Sequence, residues 1–231
     1  MMLSLGKRCL LEGVGTFLLM FAIALVTLTG QSVMVSAFGI VAMLIAIVFA
    51  IGPYTDAQFN PAMSVGFWVR GAMPARELVP YWLAQIGAAI GASFMALLLI
   101  DGSMSSESLV AVAESSADLE TGPTVLQVLL AETLFTFALV FLTLNVATTR
   151  THAGNQYFGF VIGFTVLAGL LTVGPVASAV FNPAVVFGLW VLGLADVVSG
   201  ALVILSTVIG ASLAAMLFRI VHGTREDGPE A

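Results

Sequence analysis

Charged side chains are scarce in this chain of 231 residues, where Asp, Glu, Lys and Arg together make up 9%. A soluble domain usually carries about 25% charged residues. The chain therefore has too little charge to cover a surface in water, which disfavours a soluble enzyme, a nucleic-acid-binding protein and a disordered protein. The net charge of −6 also argues against a basic face that binds phosphate.

Cysteine and histidine are almost absent. The single cysteine, Cys9, excludes an internal disulfide and a multi-cysteine metal site. His152 and His222 are the only histidines, which leaves little for a catalytic triad or a zinc site. We therefore expect no metal, no cofactor and no enzymatic activity.

Hydrophobic residues, in contrast, make up 60% of the chain. A helix needs about 20 mostly apolar residues to cross the bilayer core, and six stretches are long enough. These runs do not alternate, so a barrel of strands is excluded. The predicted fold is an all-α polytopic membrane protein, with spans near 11–29, 34–51, 78–100, 124–147, 156–173 and 199–221.

The basic residues predict the orientation of the spans. With six spans, all seven lysines and arginines fall on one side of the membrane, and this side is expected to be cytoplasmic. Both termini are then expected on the cytoplasmic side of the cell membrane. The connection 101–122 holds five acidic residues and no basic one. We place it outside, as a solvated loop or, alternatively, as a vestibule that gathers cations.

The two halves of the chain are duplicates. Residues 52–69 read GPYTDAQFNPAMSVGFWV, and residues 174–191 read GPVASAVFNPAVVFGLWV, with 10 of 18 positions identical. Each half holds three spans, an odd number, so the second half is inverted relative to the first. We predict one channel domain, 1–231, with repeats at about 1–100 and 123–222 and a short tail, 223–231.

Each copy of this motif predicts a loop that dips into the membrane. Gly-Pro is expected to end the preceding helix, and Asn60 and Asn182 are each followed by Pro-Ala and a short apolar segment. Asn is a favoured N-cap and Pro suits the first helical position, so a half-helix begins there. Inverted halves bring the two half-helix N-termini together near the midplane, as expected for a transport path. The alternative is a pair of loops that merely pack.

Two glutamates lie inside the predicted spans. Glu12 and Glu132 begin similar stretches in the first span of each half. Ionisable residues at that depth are functional candidates, so a secondary carrier that uses them for ion coupling is the alternative to a channel.

The duplicated motifs resemble those of the major intrinsic protein family, the aquaporins and glycerol facilitators. The resemblance rests on Asn60-Pro61-Ala62, Asn182-Pro183-Ala184 and the two glutamates. It implies six helices plus two half-helices around one pore per subunit, assembled as a homotetramer in the lipid bilayer. It also implies that Asn60 and Asn182 aim N–H donors into the lumen. Glu12 and Glu132 would support the dipping loops by accepting backbone hydrogen bonds, with Gln85 in a similar role.

The sequence departs from the family pattern at the selectivity filter. Val185 stands where most members carry arginine, and the other filter positions fall near Ile40, Leu170 and Ala179, with Phe38 as the rival to Ile40. The predicted filter thus lacks any polar side chain. An apolar ring gates by dewetting or favours weakly hydrated neutral solutes.

The first dipping loop departs as well. Asp56 stands where a small residue is usual, and Gln58 where His is common. We assign both to the inner mouth. Asp56 either caps a turn before the half-helix or attracts a cation.

The expected function is passive passage of water and small neutral solutes, with protons excluded at the paired Asn-Pro-Ala motifs. Water, glycerol, ammonia, carbon dioxide and hydrogen peroxide all stay open as permeants. Family frequency favours water, whereas the apolar filter argues mildly against fast water flow.

Overall fold

All regular structure that the computed structural model describes, in residues 3–100 and 124–223, is helical. The predicted outer loop 101–122 and the tail beyond Gly223 lie outside the described residues. Within the two described ranges, eight α-helices and one 3₁₀ turn, Arg150–His152, follow one another. The helices are α1 (Leu5–Leu28), α2 (Val33–Thr55), α3 (Pro61–Arg70), α4 (Ala75–Ile100), α5 (Val125–Thr148), α6 (Phe158–Thr172), α7 (Pro183–Val191) and α8 (Val197–His222).

Five of these helices are long and apolar enough to cross a membrane, with 23 to 26 residues each. The all-helical membrane fold predicted from the apolar runs is thereby confirmed. The predicted span 156–173 is too long, because α6 has only 15 residues. At 1.5 Å per residue it extends about 23 Å, less than the ~30 Å hydrocarbon core. A segment without helical structure follows Thr172 and leads to the next helix at Pro183.

The end of α2 corrects a second expectation. Gly52-Pro53 does not end the helix, which continues to Thr55 with Pro53 inside it. The helix ends one turn later because Asp56 adopts the left-handed conformation (φ 66°), and its N–H donates to the carbonyl of Gly52 at 3.0 Å. In the second copy α6 ends before Gly174-Pro175, as expected.

The two short helices begin where the duplicated motifs predict. Asn60 is the N-cap of α3 and Asn182 is the N-cap of α7, each with proline at the first helical position. With 10 and 9 residues, neither helix is long enough to span a bilayer. Both are half-helices.

The packing of the helices has the symmetry of the repeat. Exchanging the halves converts α1, α2, α3 and α4 into α5, α6, α7 and α8. The major contacts are α1 with α4 and α5 with α8, α1 with α2 and α5 with α6, α3 with α8 and α7 with α4, and α2 with α6. Each pair in this set maps onto another member or onto itself, which fits two halves related by a two-fold axis.

Small residues allow some helices to approach closely. A Cβ at Gly210 of α8 would overlap the backbone carbonyl oxygen of Thr133 on α5. Gly159 and Gly163 on α6 similarly face Phe49 and Ile45 of α2, as expected for a small-residue pair. The same small-xxx-small spacing of Gly87 and Gly91 on α4 predicts close helix packing there as well. A Cβ at either would meet nothing within 4 Å, so this pair makes no close contact within the described chain.

These contacts predict unequal effects of adding one methyl group. Gly210→Ala should lower the free energy of unfolding by about 1–3 kcal/mol, because the contacted atom is backbone and cannot rotate away. Gly87→Ala is the matched control. It should leave stability unchanged or raise it by up to about 1 kcal/mol through helix propensity. Thermal unfolding in detergent measures both, and equal melting temperatures for the two variants would contradict the packing described.

Candidate functional site

Two asparagine side chains join the N-termini of the half-helices. The Nδ2 of Asn60 donates to the carbonyl of Phe181 at 2.8 Å, and the Nδ2 of Asn182 donates to the carbonyl of Phe59 at 2.9 Å. Each Oδ1 accepts from the backbone of its own half-helix, from Ala62 N and Ala184 N respectively, at 2.9 Å. One N–H of each amide remains after these bonds are made.

A cavity of about 240 Å³ lies against these asparagines. Its wall is mainly aliphatic, and none of the described residues that line it is charged. The polar members of the wall are Thr27, Gln58, Asn60, Ser178 and Asn182. The N-terminal ends of α3 and α7 both meet this cavity, and each carries about half a positive charge from its helix dipole. The centre of the cavity is therefore unfavourable for cations.

The loops that precede the half-helices have an unusual backbone. Ala57 and Phe59 have positive φ angles of 46° and 47°, and their counterparts Ala179 and Phe181 have 49° and 53°. The left-handed conformation costs a non-glycine residue about 1–2 kcal/mol. The same strained pair recurs in both repeats, so the surrounding contacts must compensate for it.

Two buried carboxylates supply that compensation. Glu12 accepts from the backbone N–H of Gln58 at 3.0 Å and of Phe59 at 2.7 Å. Glu132 accepts from Val180 and Phe181, both at 2.8 Å. Both side chains are fully buried. Each carboxylate thus ties one dipping loop to the first helix of its own half.

The first repeat adds a chain of polar side chains to this arrangement. Gln85 donates to Glu12 Oε2 at 2.9 Å and to Ser64 Oγ at 3.3 Å. Ser64 in turn donates to the carboxamide oxygen of Gln58 at 2.5 Å, and Gln58 Nε2 donates to Met73 Sδ at 3.8 Å. The carboxamide of Gln58 is therefore held by the protein, although the residue lines the cavity.

The four predicted filter residues belong to the wall of the same cavity. Ile40, Leu170, Ala179 and Val185 all line the central cavity. Phe38, the rival to Ile40, does not line it and is 53% exposed. The cavity passes from this apolar region to the asparagine pair.

Asp56 lies elsewhere. Asp56 is the C-cap of α2 and is exposed. It lines a separate cavity of about 150 Å³ together with Arg70 and Thr148. Arg70 is buried, with its guanidinium 4.7 Å from the ring centroid of Phe218. Of the two predicted inner-mouth residues, Gln58 lines the central cavity and Asp56 does not.

Sequence reasoning missed two polar residues of the wall. Thr27 continues the face of α1 that carries Leu19 and Ile23, and its spacing of four residues could have indicated it. Ser178 donates to Glu132 at 3.0 Å, a contact between residues 46 positions apart that no local pattern signals. No group of three metal-ligating residues occurs in the described ranges.

The sequence is similar to known proteins over nearly its whole length. The sequence profile of the family described as Major intrinsic protein matches residues 2–218. The aquaporin AqpM of Methanothermobacter thermautotrophicus is 28% identical over 251 aligned positions, and the alignment covers 94% of this chain and 98% of that protein. Aquaporin NIP1-4 of Oryza sativa subsp. japonica is 34% identical over 183 residues, 77% of this chain and 63% of that protein.

A solved structure shares the fold. The X-ray structure of the aquaglyceroporin from Plasmodium falciparum matches with a TM-score of 0.76, covering 93% of this chain and 96% of that one. The sequences are 18% identical, so the likeness concerns the fold alone.

The buried carboxylates lead to a stability prediction. Glu132→Gln should lower the free energy of unfolding by about 1–3 kcal/mol, because the new NH₂ group faces a backbone N–H and leaves it unpaired. Thermal unfolding in detergent measures the change. Ser178→Ala is the control, since it removes one bond to the same carboxylate and keeps both loop bonds, so its effect should be smaller. A Gln variant as stable as the wild type would contradict this role.

Proposed function

Because the chain belongs to the major intrinsic protein family, we propose that its central cavity is the lumen of a passive membrane channel for water and small neutral solutes. The observation that carries the proposal is the pair Asn60 and Asn182. Their amides meet across the repeat and line one cavity. The aquaporin relatives support the same function.

We propose that the free N–H of each asparagine donates to the oxygen of a passing molecule. A water that accepts from both amides directs its own hydrogens away along the file. It cannot then relay a proton through the centre, because it has no lone pair available for the next water. The fixed positive ends of α3 and α7 add an electrostatic barrier to protons and metal cations.

The selectivity filter is assigned to Ile40, Leu170, Ala179 and Val185. Glu12, Glu132 and Gln85 are assigned to support of the loops. Gln58 is assigned to the inner mouth, and Asp56 to the same mouth outside the central cavity, which Asp56 does not line. Loop support fits the hydrogen bonds that both carboxylates accept from backbone N–H groups. A carrier that uses Glu12 or Glu132 for ion coupling is not favoured, since the relatives are channels. The family's members are likewise channels and not enzymes.

We further propose that the chain forms a single channel domain, 1–231, and assembles as a homotetramer in the cell membrane. Both termini lie in the cytoplasm and the connection 101–122 lies outside, since the seven basic residues then share the cytoplasmic side. The exposed aliphatic side chains of the long helices, such as Leu83 and Leu98, suit contact with lipid or with other subunits.

Osmotic stopped-flow measurements on proteoliposomes test the channel. We expect faster shrinkage than in empty liposomes, with no dependence on an ion gradient and no saturation over the accessible solute range. Absence of water and solute flux above empty liposomes would refute the open channel. Flux that saturates and needs an ion gradient would favour the carrier.

Val185→Arg tests the placement of the filter. A guanidinium at this position should narrow the range of solutes that pass, because it supplies donors and a fixed positive charge in the constriction. A panel of water, glycerol and urea in the same assay measures the range. Val185→Met adds length without charge and is the control. Unchanged selectivity in the Arg variant would count against Val185 as a filter residue.

A further inference from the structure

Side-chain hydrogen-bonding groups are unevenly distributed along the central cavity. The filter residues Ile40, Leu170, Ala179 and Val185 all line it, and their side chains are hydrocarbon. Along α1 the cavity is lined by Leu19, Ile23 and Thr27, and these residues cover about 12 Å of helix axis. Thr27 is the only polar one of the three and lies next to the end of α1. We call the part of the cavity that is lined by the four filter residues and by Leu19 and Ile23 the apolar stretch, since all of these side chains are hydrocarbon.

The polar side chains outside the asparagine pair offer little to a passing solute. The hydroxyl of Thr27 donates to the carbonyl of Ile23 at 2.8 Å, and that of Ser178 donates to Glu132 at 3.0 Å. Both hydroxyl protons are used, which leaves only oxygen acceptors. The carboxamide of Gln58 is bonded to Ser64 and Met73. One N–H each of Gln58, Asn60 and Asn182 stays available after these bonds, so the side-chain donors lie at the asparagine pair and at Gln58 beside it, and none lies at the filter.

A solute that enters the apolar stretch must leave its hydrating water without gaining hydrogen bonds from the side chains that define this stretch. Every hydrogen bond left unmade slows entry by about fivefold or more. A polyol carries several hydroxyl groups and is penalised for each one. A neutral molecule with few polar groups is penalised least, and an ion is excluded by its charge.

Deepening the proposed function, on which this inference rests, we propose that the filter selects neutral solutes with few hydrogen-bonding groups over polyols. Ammonia is the simplest probe of this class: it is small and uncharged, and its lone pair can accept from the asparagine N–H groups in turn. Glycerol is the disfavoured extreme.

The first experiment separates hydrogen bonding from size. Proteoliposomes of phosphatidylcholine and cholesterol are tested by stopped flow with ammonia, 1,2-propanediol and glycerol, and the flux of empty liposomes is subtracted. The two alcohols share a three-carbon skeleton and differ by one hydroxyl group. We expect protein-dependent flux in the order ammonia, propanediol, glycerol, with at least a fivefold step between the alcohols. Equal flux of the two alcohols would overturn the inference.

The second experiment restores polarity within the apolar stretch. Val185→Thr is nearly isosteric and adds a hydroxyl group to the filter. It should raise the ratio of glycerol to ammonia flux at least threefold. Val186→Thr is the matched control, because Val186 is the next residue of the same half-helix and packs with Val128 and Val203 away from the cavity. The ratio of glycerol to ammonia flux in Val186→Thr should equal that of the wild type.

The outcomes distinguish this inference from the channel itself. A wild-type protein that conducts none of water, ammonia and the two alcohols refutes the channel, and the inference with it. A conducting wild type whose ratio does not change in Val185→Thr refutes the selective role of the apolar filter alone. The same holds if Val186→Thr changes the ratio as much as Val185→Thr.

Discussion

The structure depends on satisfying the backbone of two loops that enter an apolar environment. Free N–H and C=O groups that face away from the cavity have no water to bond with at that depth, and each unpaired group is costly. Four side chains meet part of this demand. Glu12 and Glu132 accept from N–H groups of the loops, while Asn60 and Asn182 donate to carbonyls across the repeat. Because each asparagine bonds to the opposite loop, neither half of the site is complete alone.

The duplication provides this arrangement, but the two copies have diverged. In the first repeat Ser64 and Gln58 extend the hydrogen bonding from Gln85. At the corresponding positions of the second repeat the chain carries Val186 and Val180. Val186 packs against other valines, and Val180 contacts Glu132 through its backbone only. The loop of α7 is therefore supported by fewer polar side chains, and its half-helix is set in a more apolar surrounding.

This divergence coincides with the character of the cavity. Val185 belongs to the same apolar half-helix and contributes hydrocarbon to the wall, as do Ile40 and Leu170. The scarcity of charge across the chain thus extends to the wall of the cavity, where the described lining residues include no ionisable group. Partial charges of the half-helix ends and the amides of Asn60 and Asn182 remain as the main electrostatic features.

The helical class, the repeat and the start of both half-helices follow from the sequence. These features are local, since apolar run length, Asn-Pro capping and a fixed offset need no knowledge of distant contacts. The prediction from sequence erred at Gly52-Pro53, where the helix continues, and at Gly87 and Gly91, which face open space. The tertiary structure alone decided the bonds that close the site, such as Asn60 to the carbonyl of Phe181. Those partners are 121 positions apart, and only the packing of one half against the other brings them within hydrogen-bonding distance.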